Sequence, residues 1–268
     1  MKKILTTLVT LVALSSTASA DLLRIEAGAG MWAHKAEGFM DYRDKDASAQ
    51  DISQEVDFET AYAWAYFKHF LPLIPNLRVE YSKIESEGRL TATGAIVGLN
   101  AEVENLPTTL EMTQFEVIPY YNLLDNTFWI TVDVGLAIKI IQYKATGSGE
   151  AAVGLDGLPI TYNTNIEAYD ETGTIPLPLL YSRVRGQIPL TEIGVEGTFK
   201  YISDGGDNSV SDMSVKLDYT LDFLPIIQPG LEVGYRIMSM DSDIEDGDTR
   251  TIIGYDFAGV FAGLMLRF

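Results

Sequence analysis

The chain contains no cysteine and only two histidines, His34 and His69, in 268 residues. Without a thiol there is neither a disulfide framework nor the cysteine that a lipoprotein anchor needs. With two histidines the supply of general bases is thin. Basic residues are scarce too: 19 Lys and Arg stand against 38 Asp and Glu. Nucleic-acid phosphates attract clusters of Lys and Arg, so this balance predicts no nucleic-acid partner. Beyond the first twenty residues no uninterrupted apolar run reaches the length of about 18 residues that a transmembrane helix requires.

What is present begins with Met1-Lys2-Lys3, an apolar stretch from Ile4 to Leu14, and Ala18-Ser19-Ala20. A short basic start, a run too short to span a bilayer, and small residues in an A-x-A arrangement predict a cleaved secretory signal over 1–20. The mature part is then expected to be one unit over 21–268.

Periodicity gives the class. From Phe128, the residues Ile130, Val132, Val134, Leu136, Ile138 and Ile140 share one face of an extended chain, while Asp133 and Lys139 fall on the other. A period of two with charges at alternate positions is that of a strand with one apolar and one wet face. The pattern returns over Met213–Phe223 and Ile193–Tyr201. Segments of about ten residues suit a tilted strand crossing a hydrocarbon layer. At the far end Ala258, Val260, Ala262, Leu264, Leu266 and the terminal Phe268 alternate with Gly259, Phe261, Gly263, Met265 and Arg267.

The prediction is an all-β transmembrane antiparallel up-and-down barrel. Strands are expected near 22–34, 57–68, 76–88, 109–122, 127–143, 173–185, 191–203, 211–223, 229–241 and 251–268. Ten is the preferred count. Eight is the alternative, because Pro176 and Pro178 interrupt one segment. Connections alternate in length: short turns near 71–75, 123–126, 186–189 and 224–229, long loops near 35–56, 89–108, 144–172, 204–210 and 242–250. This alternation is that of barrels with short periplasmic turns and longer outer loops. Phe70-Leu71-Pro72-Leu73-Ile74-Pro75 and Phe223-Leu224-Pro225-Ile226-Ile227-Gln228-Pro229 echo each other as two such turns.

With that lipid face, the lumen is expected to receive Arg24, Glu26, Glu59, Arg78, Glu80, Glu116, Asp133, Lys139, Glu192, Glu196, Lys200, Lys216, Asp218, Asp222, Glu232, Arg236 and Arg267. Mixed signs predict an interior that neutralises itself, since wide aqueous pores belong to barrels of about 16 strands and more. Tyr62, Trp64, Tyr66, Tyr121, Phe128, Tyr219 and Tyr235 are read as an aromatic girdle facing lipid. His34 is placed at the outer end of the first strand, near Asp41, Asp44 and Asp46, where an acid–His pair is conceivable; His69 lies beside a periplasmic turn. The acidic run Asp241–Asp248 lacks the Gly and Glu of a helix-loop-helix calcium loop and reads as a solvated outer loop, in reach of lipopolysaccharide through divalent ions. Gly28 and Gly30 read as room made in a crowded lumen. No catalytic set, metal site or cofactor is predicted.

Tyr201-Ile202-Ser203-Asp204-Gly205-Gly206-Asp207-Asn208, the Leu-Pro-Leu-Ile-Pro-Asn turn and the terminal Phe268 together resemble an uncharacterised proteobacterial family of outer-membrane barrels with a Gly-Gly loop motif. More distantly the chain is similar to small OmpW-type barrels. The resemblance implies a cell outer-membrane location, surrounding lipid and lipopolysaccharide, and Phe268 as a signal read by the barrel-assembly machinery. A monomer is the expected state. The expected roles are a narrow conduit or binding barrel for small hydrophobic or cationic molecules, or a closed structural or surface-interaction barrel acting through its outer loops. A rim hydrolase built on His34 is the least favoured.

Overall fold

The computed structural model describes residues 23–44, 47–71, 73–96, 99–155, 161–221, 227–246 and 249–268, with the side chains of 36–59, 86–110, 145–171, 244–251 and 253 outside that description. The predicted signal at 1–20, Asp222, and the side chain of Glu59 therefore lie outside the described residues.

Ten strands follow one another: β1 Leu23–Asp44, β2 Ala47–His69, β3 Asn76–Ile96, β4 Leu99–Thr127, β5 Ile130–Leu155, β6 Thr161–Gln187, β7 Ile193–Ser203, β8 Ser209–Thr220, β9 Gln228–Asp246 and β10 Thr249–Arg267. Each pairs antiparallel with its neighbours, and β1 closes on β10 from Glu26↔Arg267 to Asp44↔Thr249. The barrel has ten strands, and the alternative count of eight is excluded.

Closure fixes the tilt. The register runs from Glu26 through Tyr66, Arg78, Ile118, Ala137, Leu179, Ile202, Val210, Met240 and Tyr255, where Ile118–Ala137 and Leu179–Ile202 are the next positions in step with the pairs Val117↔Ile138 and Leu180↔Tyr201. It returns to β1 at Gly38, an advance of 38 − 26 = 12 residues. For ten strands that stagger corresponds to a tilt of roughly 40°. On β5 the outward apolar residues run from Ile130 to Ile140, 140 − 130 = 10 steps. At about 3.3 Å per step and that tilt, the belt is about 25 Å high, the height of the apolar band on bacterial outer-membrane barrels. Leu180, Val215, Leu231, Val260 and Leu264 continue it around the wall, each more than half exposed.

Several boundaries differ from the sequence reading. The segments near 35–56, 89–108 and 144–172 are predominantly strand, because β1 to β6 climb well past the belt. Above it the chain stays paired, but no face need be apolar, so the alternation that marks a strand fades. The turn expected at 123–126 sits at Phe128-Trp129, after pairing irregularities between Asn122 and Thr127. Phe128 is thus a turn residue rather than a strand residue facing the belt. Glu192 lies in the β6–β7 turn and is exposed, not in the lumen.

The predicted girdle splits. Tyr121, Tyr219 and Tyr235 face outward, but Trp64 and Tyr66 are buried inside and Tyr62 is half-buried, its hydroxyl bonded to lumenal Glu232. On β2 the alanines at 61, 63 and 65 point out and the aromatics point in. Gly28 explains this for Trp64, since a Cβ there would lie 2.6 Å from the Trp64 ring; one on Gly30 would meet the β10 backbone first, at 2.1 Å from the Ala262 carbonyl, and then the Tyr62 hydroxyl at 2.7 Å. Gly28 vacates the volume that the Trp64 ring occupies.

Pro176 and Pro178 also find their reason. They pair with Ile140 and Ile138 of β5, whereas β6 meets β7 only over Leu180–Gln187. Above Leu180 the β7 side of β6 is an open edge, where a missing N–H costs no ladder bond.

Candidate functional site

The lumen is the candidate site, and its filling changes along the barrel axis. At the short-turn end Asp133 of β5 pairs with Arg183 of β6. Asp218 of β8 is held by Arg185 at 2.8 Å and by Arg267 at 2.6 Å, and Arg267 also reaches Glu26 at 3.5 Å. Arg24 pairs with Glu26 at the mouth.

In the middle the ion pairs cross the lumen as chords. Glu196 of β7 receives Arg78 of β3 at 3.3 Å, Arg183 at 2.9 Å and Lys216 at 3.5 Å. Lys200, also on β7, bonds Glu80 of β3 at 2.7 Å and Glu116 of β4 at 2.6 Å. Lys139 of β5 bridges Glu116 and Asp212 of β8, both at 2.9 Å, and Asp212 accepts Arg236 of β9 at 2.6 Å. Glu232 accepts Lys216 at 3.0 Å, the Trp64 indole N–H at 2.9 Å and the Tyr62 hydroxyl at 2.8 Å. Ring faces add to the packing, with the Lys216 ammonium 4.4 Å from the centroid of Trp64 and the Arg183 guanidinium 4.6 Å from that of Tyr66.

Burial of so many charges is tolerable only because each has an ion-pair partner, with Glu26 Oε1, Arg183 Nε and Arg267 Nε, among the described residues, the buried charged-group atoms that make no hydrogen bond. Lys139 and Asp133 are fully shielded from solvent, and Glu116, Glu196, Lys200 and Asp218 nearly so. Among these groups, Glu80, Glu116, Lys200, Lys216, Glu232 and Arg236 line a cavity of about 60 Å³. That holds the centres of a few water molecules and no more.

Apolar groups also sit among these charges, where Tyr66, Ile118, Tyr120, Tyr181 and Met265 belong to one buried cluster; farther from the short-turn end the charges drop out and the lining is apolar. Along β3 Arg78 and Glu80 give way to Ile84, along β5 Asp133 and Lys139 give way to Ile141, and along β9 Glu232 and Arg236 give way to Met238. With Trp32, Met112, Phe257 and Phe261 these form one buried cluster. His34 belongs to this tier, not to the outer rim, since β1 continues ten residues beyond it, from 34 to 44. Its Nε2 is 2.8 Å from the Thr60 hydroxyl, and its ring lies 3.9 Å from that of Trp32. The side chains of Asp41, Asp44 and Asp46 lie outside the described residues. His69 is a turn staple: its ring N–H donates to the Pro75 carbonyl at 3.1 Å and its other nitrogen accepts the Leu71 amide at 3.1 Å.

The sequence reading missed Lys68, Arg183, Arg185 and Asp212. Lys68 shares a face with Trp64 and Tyr66, so assigning those rings to lipid removed it from the lumen. Arg183 and Arg185 alternate around Val184, but Pro176 and Pro178 upstream interrupt the strand pattern there. Asp212 stands one residue before the stretch where alternation was read from Met213. Among the described residues no group of three or more His, Cys, Asp and Glu could hold a metal ion.

The Gly-Gly motif caps the β7–β8 hairpin. Asp204 accepts the Gly206 amide at 2.7 Å and the Asn208 side-chain amide at 2.6 Å, which holds its carboxyl below the usual range. Asn208 Oδ1 in turn accepts the Asp243 amide at 2.7 Å and the Ser242 hydroxyl at 3.0 Å, tying the hairpin tip to β9.

No protein-family model and no curated protein matches the sequence. Among solved structures, the chain is similar to the outer membrane protease OmpT from Escherichia coli, with a TM-score of 0.55, 11% identity, and coverage of 95% of this chain and 100% of that one. The translocator domain of the autotransporter NalP from Neisseria meningitidis matches with a TM-score of 0.37 and 10% identity, covering 96% and 95%. Neisserial surface protein A matches with a TM-score of 0.26 and 10% identity, covering 92% and 97%. The first supports the barrel fold alone; the other two are too loose to weigh.

Proposed function

We propose that the chain is an outer-membrane barrel, closed to solutes, that acts through the end standing beyond the belt. An apolar exterior around a charged, self-paired interior suits a closed barrel in hydrocarbon. The observation that carries the closed reading is the set of chords from β7 to β3 and β4, Glu196–Arg78, Lys200–Glu80 and Lys200–Glu116. They occupy the path a solute would take, and the apolar tier lies across the same path. The strands of the tall wall, β1 to β6 with β9 and β10, supply the surface left for partners.

Further parts of the reading are a monomer inserted by the barrel-assembly machinery through a C-terminal strand ending in Phe268, with lipopolysaccharide around its outer half. The proposal contains no catalytic step: likeness to a protease is likeness of fold, and His34 is packed between Trp32 and Phe257. A narrow conduit is the second reading, favoured by the small cavity beside Lys200, from which a path would have to open.

Planar-bilayer recording distinguishes the two. The closed reading expects no steady conductance from the refolded protein at neutral pH. Persistent open-channel current would overturn it and favour the conduit.

A further inference from the structure

The short-turn end of the barrel is apolar where turns are ordinarily polar. Leu190 is fully exposed, Leu73 is 89% exposed and Phe128 83% exposed, and Phe70 and Trp129 are each more than half exposed. These residues come from three different turns, and Ile227, also exposed, precedes β9 at a fourth. They follow one another around the mouth.

The backbone makes this arrangement costly. Phe128, Trp129 and Leu190 have φ of 52°, 65° and 64°, in the left-handed region. A two-residue hairpin turn with both φ values positive is the place for Asn-Gly, and bulky side chains there are strained. The one other non-glycine residue with positive φ among the described residues is Asn126, which tolerates it. In water, Asn or Gly at these tips would relieve the backbone and remove apolar exposure together. Strained residues displaying large apolar groups point to a surface that something covers.

We infer that this rim is seated in the headgroup–acyl boundary of the inner, periplasmic leaflet and that phospholipid covers it. The inference rests on the membrane reading above and adds the depth at which the barrel stops. Position argues for lipid. The rim continues downward from a belt that already spans about 25 Å, which places it at the interface where Trp and other aromatics settle. It runs round the mouth rather than forming a patch on one side. Beside it Lys68 pairs with Asp125 and Arg267 with Asp218 within the barrel, and among the described residues the exposed Glu192 near the Leu190 tip is too little to make a field that steers a protein partner.

Trp129 makes the inference measurable, because the two other tryptophans, Trp32 and Trp64, are buried in the lumen. The full mature chain is refolded into phosphatidylcholine vesicles, plain or carrying bromine on the acyl chain close to the headgroup. The Trp129 component is the difference between wild type and Trp129→Phe. Both proteins are first checked for heat-modifiable migration, which reports barrel formation independently of where the rim sits. The expected result is loss of most of the Trp129 emission in brominated vesicles and little loss with aqueous iodide. Emission quenched by iodide and indifferent to bromine would overturn the inference, placing the rim in water and open to a periplasmic protein. Leu190→Asn gives a second reading by sign. In vesicles its urea midpoint falls if Leu190 is in lipid, and a rise from relief of the left-handed strain would count against the seat. A failure of heat-modifiable migration in wild type would instead sink the membrane reading itself.

Discussion

Along β5 the lumen changes character within two residues. Lys139 shares its ammonium between Glu116 and Asp212, whereas Ile141 packs with Trp32, Ile84 and Met238. On the closed reading both tiers block the lumen, by different physics. The charged tier is held by directional pairs, and removing one member strands its partners in a low-dielectric interior. The apolar tier is held by contact and volume, so a deletion leaves a dry hole while neighbouring contacts persist. The lower tier therefore responds sharply to charge and the upper one to shape.

The largest effect is expected from Lys200→Met. Glu80 and Glu116 lose their shared cation, a cost of about 3–5 kcal/mol for a broken buried pair. Urea unfolding in vesicles should show it, and bilayer recordings should show intermittent current as the chords from β7 loosen. Unchanged stability together with a silent trace would mean that these pairs do not hold the lumen shut.

Ile141→Ala tests the other tier. A cavity there should lower stability by about 2–4 kcal/mol. The charged tier beneath it is intact, so conductance should remain absent. Current from this variant would show that the apolar tier is the real seal and would reverse the comparison.

The smallest effect lies at the hairpin tip, outside both tiers. Asp204 is depressed chiefly by the Asn208 side chain and also by the Gly206 amide. The folded value lies below the unfolded one, so its contribution is present above about pH 4, the ordinary Asp value, and is lost as pH falls through the folded value. The protection of the Gly206 amide, taken as observed against intrinsic exchange at each pH, should fall on acidification while protection in the rest of the barrel is unchanged. If that protection does not change with pH, this carboxylate is not what orders the Gly-Gly loop.

Legibility followed the belt. Along the belt every second residue is apolar. The alternation at 130–140 and 213–221, and again toward Phe268, is therefore readable without coordinates, as are most lumenal charges. Beyond the belt that alternation lapses, and strands such as β2 before Glu59 or β4 before Leu110 read as loops. The β2 aromatics misled for another reason. Alternating Ala and aromatic residues are apolar on both faces, so periodicity shows two faces but cannot say which one is inside.

The amino-acid order by itself determined an antiparallel up-and-down barrel, of ten segments or eight, with an apolar outside and a mixed-charge inside, because a period of two and its charged positions are local properties. Only the closed structure decided that Trp64 and Tyr66 point inward, that Glu196 gathers several cations, and that an apolar tier overlies the ion pairs. Those outcomes depend on the stagger of twelve residues around the wall, which sets side chains from distant strands at one height. Gly28 on β1 then gives the Trp64 ring its room. Neither the stagger nor that vacancy belongs to any one segment.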